Sequence, residues 1–177
     1  MTASSAKSLQ MLATALEKEE KGWEFYRDAA ARCANELGKE MFRTLMAEEG
    51  IHIKRIKEIY RALEGGQVWS DQWKSQKIRS GDLERLITQR IKTLGPRVKS
   101  ETEDLEAVKI GIEMEQGSIR FYEEQLVKAT DPMEREFVQC MIAEERGHYT
   151  ALEDLKLYFE NPESWFVEKE HHGLDGA

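Results

Sequence analysis

The sequence predicts an all-α protein, a four-helix bundle made of two duplicated helical hairpins joined by a long crossover. Three observations carry that prediction. Pro96, Pro132 and Pro162 are the only prolines, so the chain before Pro96 is free of them and rich in Leu, Ala, Glu, Lys and Met, all strong helix formers. Apolar residues recur at alternating steps of three and four, which lines one face of a helix and does not suit a strand of period two. A shift of 96 residues carries the pattern of the first half onto the second, the mark of an internal duplication.

The first helix carries Leu9, Leu12, Leu16, Glu19, Trp23, Tyr26, Ala30 and Cys33 on one stripe. The second carries Phe42, Leu45, Glu49, His52, Ile56, Ile59 and Leu63. The third, Leu105, Val108, Ile112, Glu115, Ile119, Tyr122, Leu126 and Ala129, repeats the first. The fourth, Val138, Met141, Glu145, His148, Leu152, Leu155 and Phe159, repeats the second. Asp131-Pro132-Met133-Glu134 reads as an N-cap, a proline at the first helical position and a capping-box glutamate, and Asn35 is the N-cap at the matching point of the first hairpin. The bundle occupies residues 1–160, with a crossover over 64–100 opened by Gly65-Gly66 and closed by Gly95-Pro96. Ser100-x-x-Glu103 is the expected cap of the third helix. Within the crossover, Leu83, Leu86, Ile87, Ile91 and Leu94 predict a short extra helix. Residues 161–177 form a tail, expected to be non-helical at its end and anchored by Trp165 and Phe166.

With 34 acidic against 26 basic residues the net charge is −8, so neither a nucleic acid nor an anionic membrane is expected as partner. No apolar run is long enough to span a bilayer, and the N-terminus lacks the apolar stretch of a signal peptide; a soluble, cytoplasmic protein is expected. Cys33 and Cys140 are the only cysteines and form no CxxC pair, which excludes a thiolate-held metal centre within one chain. Any metal is held by oxygen and nitrogen.

Six polar residues occupy positions where the stripes demand apolar ones: Glu19, Glu49, His52, Glu115, Glu145 and His148. Burying carboxylates without compensation is costly, so a cation is expected among them; mutual pairing of buried polar groups is the plain alternative. In each hairpin the lone Glu and the Glu-x-x-His pair lie about equally far from the turn near residue 35 or 131, so antiparallel packing brings them to one depth. Glu and His at i, i+3 share a helical face. Two divalent ions balance four carboxylates, and their binding is expected to stabilise the fold and release protons. One nitrogen per metal among carboxylates suits iron or manganese better than zinc or copper.

These residues resemble the rubrerythrin-like branch of the ferritin-like di-iron carboxylate proteins, through Glu19-x6-Tyr26, Glu49-x-x-His52, Glu115-x6-Tyr122 and Glu145-x-x-His148, across both hairpins. The resemblance implies a ferritin-like bundle with two iron ions, manganese or a mixed pair being the alternative. It implies that Glu49 and Glu145 bridge the metals, that Glu19 and Glu115 are terminal ligands, and that His52 and His148 each ligate one ion. The six residues are the expected catalytic set. The implied activity is that of a non-haem oxidoreductase reducing hydrogen peroxide, ahead of dioxygen chemistry, in defence against oxidative stress. Many family members carry a further glutamate three residues after the lone Glu of the third helix, a carboxylate associated with redox-linked ligand exchange. Here that position is Ser118 and its repeat equivalent Gly22. A four-cysteine rubredoxin segment is absent, so electrons are expected from a separate donor protein or from ferrous ion itself.

Tyr26 and Tyr122 read equally well as hydroxyls beside the metals, redox-active rings or ordinary core. Glu17, Glu20, Glu48, Glu113 and Glu144 neighbour the ligands but are expected on solvated faces, and Cys33 and Cys140 as small buried apolar groups. The crossover's Lys74, Lys77, Arg79, Arg85, Arg90, Lys92, Arg97 and Lys99 make either a solvated cover or a docking surface, the cover being favoured. His171-His172 is too isolated from other donors to be a site. Two further function classes fit the same ligands: ferroxidase or iron storage, and a non-catalytic metal-stabilised or metal-sensing bundle. The symmetry of a duplicated fold suits self-association, with a homodimer favoured.

Overall fold

A computed structural model describes residues 3–76, 78, 82–96 and 100–174, and the side chains within these except at 3–4, 82 and 169–174. Lys77, Arg79, Arg97, Lys99 and the side chains of His171 and His172 therefore lie outside the described residues. Six α-helices follow in order, with a 3-10 turn Gln72–Ser75 between the second and third: α1 Ala3–Arg32, α2 Glu36–Glu64, α3 Asp82–Leu94, α4 Thr102–Lys128, α5 Pro132–Glu160 and α6 Pro162–Leu174. No strand occurs among the described residues. The closest helix pairs are α1 with α2 and α4 with α5, the two hairpins of the duplication.

Local chemistry sets most helix ends. Asn35 begins α2 by accepting from Gly38 N at 3.0 Å, and Asp131 begins α5 by accepting from Met133 N at 2.8 Å and Glu134 N at 3.1 Å, with Pro132 at the first helical position. Glu134 is not used as the expected capping-box partner; its carboxylate turns into the bundle and accepts from Ser8 Oγ at 3.0 Å. At the start of α4 the cap lies one residue later than expected, at Glu101, whose N–H donates to Asp104 Oδ2 at 3.2 Å. Buried Asp104 also accepts from Ala34 N at 2.9 Å and Asn35 N at 3.1 Å, so it ties the α1–α2 turn to α4. Ser8, its equivalent in the other repeat, ties α1 to the start of α5, so the ends of the hairpins are clasped twice.

The apolar core falls into two parts. One gathers Tyr26, Cys33, Phe42, Leu45, Val108, Ile112, Leu152 and Leu155, and is covered by Ile87 and Ile91 of α3 and Trp165 of α6. The other gathers Leu12, Ala15, Ile56, Ile59, Tyr122, Phe137, Val138 and Met141, and is covered by Trp73 of the 3-10 turn. The residues between them along the helices are the polar members of the stripes. The crossover thus runs the length of the bundle, from the second core at Trp73 to the first at α3. Gly95 ends α3 with φ 71°, a conformation in which a Cβ would be strained, and Tyr158 Oη donates to its carbonyl at 2.6 Å. Two crossover cations pair with bundle carboxylates, Lys74 with Glu136 at 2.6 Å and Arg90 with Glu40 at 3.0 Å, which fits a cover over the bundle.

Pro162–Leu174 forms a helix, and residues 175–177, at the end of the tail expected to be non-helical, lie outside the described residues. Asn161 starts that helix by accepting from Ser164 N at 3.0 Å, with Pro162 at the first helical position. Trp165 is fully buried, in edge contact with Tyr158 and Phe166 at ring-centroid distances of 6.2 and 5.1 Å. Cys33 is buried as expected, beneath Gly38, where a Cβ would come within 2.7 Å of its sulfur. Cys140 is only half-buried. Burial raises the two thiols to about 12 and about 11, so both stay protonated and unreactive.

Candidate metal centre

The helical phase read from the sequence brings all six stripe residues together. Glu19, Glu49, His52, Glu115, Glu145 and His148 are each at most 3% exposed. Their ligand atoms fall into two overlapping groups, Glu19, Glu49, His52 and Glu145 in one and Glu49, Glu115, Glu145 and His148 in the other, with the atoms of each group all within 4.8 Å of one another. Around His52 Nδ1 stand Glu19 Oε2 at 3.0 Å, Glu145 Oε1 at 3.1 Å and Glu49 Oε2 at 3.5 Å. Around His148 Nδ1 stand Glu49 Oε1 at 3.5 Å, Glu115 Oε2 at 3.7 Å and Glu145 Oε2 at 3.9 Å. Glu49 and Glu145 each turn one oxygen to each imidazole. Carboxylates that bridge two cations have that disposition. The imidazole rings stack with centroids 5.6 Å apart.

Each half of the cluster is held by groups from the other hairpin. Tyr122 Oη donates to Glu19 Oε1 at 2.5 Å, and Tyr26 Oη donates to Glu115 Oε1. Both rings are buried, so the tyrosines are carboxylate-bound hydroxyls beside the cluster. Behind the imidazoles, His52 Nε2 meets Glu144 Oε2 at 3.1 Å and His148 Nε2 meets Glu48 Oε2 at 2.7 Å. Glu48 and Glu144 are therefore not on solvated faces, as the stripe reading expected. The Glu144 side chain is 2% exposed and that of Glu48 18%. In a four-helix bundle each helix faces two neighbours, and the buried arc is wide enough to take in the residue before each ligand. Glu17, Glu20 and Glu113 do face solvent. The sequence reading also missed Arg55, which is 2% exposed and donates through Nη1 to Glu144 Oε2 at 2.6 Å. Its position three residues after His52, on the same face, is the signal that pointed to it.

The electrostatics are those of a cluster built for a cation. Burial alone would lower the imidazole pKa values, but surrounding carboxylates outweigh it, Glu144, Glu145 and Glu19 at His52 and Glu115, Glu48 and Glu49 at His148, and hold both well above the usual range. Burial, then repulsion by Glu19, Glu49 and Glu115, pushes Glu145 well up. Burial and the charge of Glu19 push Glu49 to about 7. Burial also opposes ionisation of Glu19 and Glu115, yet the adjoining imidazoles win, His52 by a hydrogen bond to Glu19 and His148 by its nearness to Glu115, bringing Glu19 to about 2 and Glu115 below its usual value. Without metal and below pH 7 the cluster thus balances two imidazolium ions against ionised Glu19 and Glu115, with protons held on Glu145 and Glu49. Even so, Glu145 Oε1 and His148 Nδ1 have only ion-pair contacts in the cluster and make no hydrogen bond of good geometry among the described residues. Buried polar atoms left without a good hydrogen bond at the centre of an oxygen-rich, thiol-free donor set fit a hard or borderline divalent cation.

A cavity of about 270 Å³ opens between α1 and α4 and is lined by Glu19, Glu49 and Glu115 together with Gly22, Gly117 and Ser118. The small residues at 22 and 118 leave that side of the cluster open. A Cβ at Gly22 would lie 3.5 Å from the Glu49 carboxyl carbon.

The family model described as Rubrerythrin matches residues 10–156, both hairpins and the crossover between them. The chain belongs to the rubrerythrin family. Neither among curated proteins nor among solved structures does it find a match. Membership accords with the all-α bundle, and rubrerythrins typically bind iron. Among the described residues no helix is long and apolar enough to cross a membrane.

Proposed function

We propose that this rubrerythrin is a non-haem di-iron oxidoreductase that reduces hydrogen peroxide. Glu19, Glu49, His52, Glu115, Glu145 and His148 hold the metals, and Glu49 and Glu145 are shared between them. The observation that carries this reading is the pair of overlapping donor groups, in which those two carboxylates each offer one oxygen to either side. An iron pair bound there supplies two electrons, which with two protons convert one peroxide to two waters.

The chain's own residues do the rest. Tyr26 and Tyr122 keep their protons, because burial and the adjoining carboxylates raise both hydroxyls well above the usual range. They fix Glu115 and Glu19 by donating to them, leaving the second oxygen of each free for metal. The cavity at Gly22 and Ser118 admits a molecule as small as peroxide to the carboxylate side, while apolar core closes the cluster off above and below along the helices. Cys33 and Cys140 form no cluster to relay electrons, so re-reduction of the centre falls to a donor protein or to ferrous ion itself.

Anaerobic iron loading with metal analysis tests this, followed on the same sample by optical spectra during stepwise addition of peroxide and then air. Two irons per chain, and ferric absorption that develops faster with peroxide than with air, are expected. Dozens of irons per chain would replace the reading with storage. Loading without response to either oxidant would replace it with a structural or sensing bundle.

A further inference from the structure

The two halves of the cluster are near copies, but the groups behind the two imidazoles are not. His148 Nε2 meets Glu48 at 2.7 Å, and no cation is paired with that carboxylate among the described residues. His52 Nε2 meets Glu144 Oε2 at 3.1 Å, and the same oxygen also takes Arg55 Nη1 at 2.6 Å. Arg55 is buried and fixed at its other edge, where Nε donates to the Gln76 carbonyl at 2.8 Å and Nη2 donates to the same oxygen. Gln76 belongs to the crossover and is itself tied to α2 by a 2.5 Å bond from Nε2 to Glu58. The repeat equivalent of Arg55 is Ala151, and among the described residues no arginine or lysine pairs with the carboxylate behind His148.

We infer that Arg55 makes the two metal positions unequal, so that the first divalent ion binds in the Glu49, Glu115, Glu145 and His148 group and the second, more weakly, in the Glu19, Glu49, His52 and Glu145 group. The inference rests on the reading of these groups as a two-metal centre. Two effects act in the same direction. A carboxylate behind a ligating imidazole raises its basicity toward the metal, and Glu48 gives that support undivided, at the shorter distance. Glu144 divides one oxygen between His52 and a guanidinium that is always charged, so its support is weaker. The fixed positive charge of Arg55 also opposes a second cation nearby, whereas the charge behind His148 is a net negative. Glu48 is the more solvated of the two carboxylates, which screens its charge but does not change its sign.

The test is calorimetric titration of the metal-free full-length protein with Co²⁺ and with Mn²⁺, plus crystals grown with one equivalent of Zn²⁺ for anomalous scattering. Two resolved binding events, separated by at least about tenfold in affinity, and anomalous density beside His148 rather than His52 are expected. Glu48→Gln replaces a partly exposed side chain by one of its own size, and should weaken the first event by about 10–100-fold and merge the two. Two ions bound with one affinity, density divided equally between the positions, or an unchanged isotherm in Glu48→Gln would overturn the inference and leave the two-metal reading intact. Failure to bind any of the three metals would overturn that reading, and the inference with it.

Discussion

Replacing Glu144 with alanine separates the structural account most sharply from the stripe reading, in which this residue is solvated and dispensable. The change leaves the Arg55 guanidinium buried without its carboxylate and His52 Nε2 without a partner. Removing one member of a buried ion pair costs about 3–5 kcal/mol. The Gln76 carbonyl still takes two of the guanidinium's donors, which favours the lower end of that range. A chain of this size shifts by roughly 2–4 °C per kcal/mol, so a loss of about 6–12 °C is expected from a cost near 3 kcal/mol. The assay is thermal unfolding of the chelator-treated protein followed by far-ultraviolet circular dichroism. Glu113→Ala, on an exposed position of α4, is the control and should stay within about 0.5 kcal/mol of the parent. If Glu144→Ala melts within about 1 °C of the parent, Arg55 and Glu144 do not form the buried pair described, and the case for unequal metal positions loses its basis.

Three further outcomes are expected. Without metal, the raised values of Glu49, Glu145, His52 and His148 contribute stability that is present at low pH and lost as pH rises from the ordinary values, 4.5 for the carboxyls and 6.5 for the imidazoles, through the folded-state ones, about 7 for Glu49 and higher for the other three. The melting temperature of the metal-free protein should therefore fall between pH 6 and 8, while the stability from ionised Glu19 is lost only as pH falls below the ordinary 4.5 toward about 2. Loading two divalent ions at pH 6 should release about four protons, from His52, His148, Glu145 and Glu49, measurable by calorimetry in buffers of different ionisation enthalpy. Trp165→Ala should cost about 3–5 kcal/mol in denaturant unfolding, because that ring is fully buried against the bundle; a negligible cost would show that α6 is not docked.

The bundle was legible because its signals are one-dimensional. A stripe of period 3.6, proline-free segments and a shift of 96 residues survive in any reading of the chain, and the six ligand candidates stand out as polar interruptions of an apolar pattern. What escaped depends on contacts between elements. Glu48 and Glu144 lie just beside the stripe, and only the approach of the opposite hairpin turns their flank inward. Arg55 looks like a surface cation in sequence, because its partner in the crossover is a backbone carbonyl, and every residue has one. Glu134 has the sequence of a capping-box residue, but the nearness of Ser8 gives its carboxylate a different partner. The helix α6 was not read from the sequence, although Asn161-Pro162, which follows the end of α5, is a good start for a new helix.

Duplication and the single connection between the hairpins explain both the symmetry of this centre and its failure. Tyr26 with Glu115, Tyr122 with Glu19, His52 with Glu144 and His148 with Glu48 all join one hairpin to the other. Neither hairpin satisfies all of its own buried carboxylates and imidazoles, although Glu19 and His52 pair within the first, so the cluster is complete only where the halves dock. Groups that bind across the two-fold are constrained in pairs, which is why the repeat is kept at all eight of these positions. The crossover cannot obey that symmetry, since one chain needs only one connection between two hairpins. On the α2 side it offers the Gln76 carbonyl to Arg55, and against α5 it lays the apolar face of α3. A buried arginine has that second partner at residue 55, whereas residue 151, its repeat equivalent, is a buried alanine in the core that α3 covers. The inequality inferred for the two metal positions would thus be a consequence of the topology that makes a single-chain bundle possible.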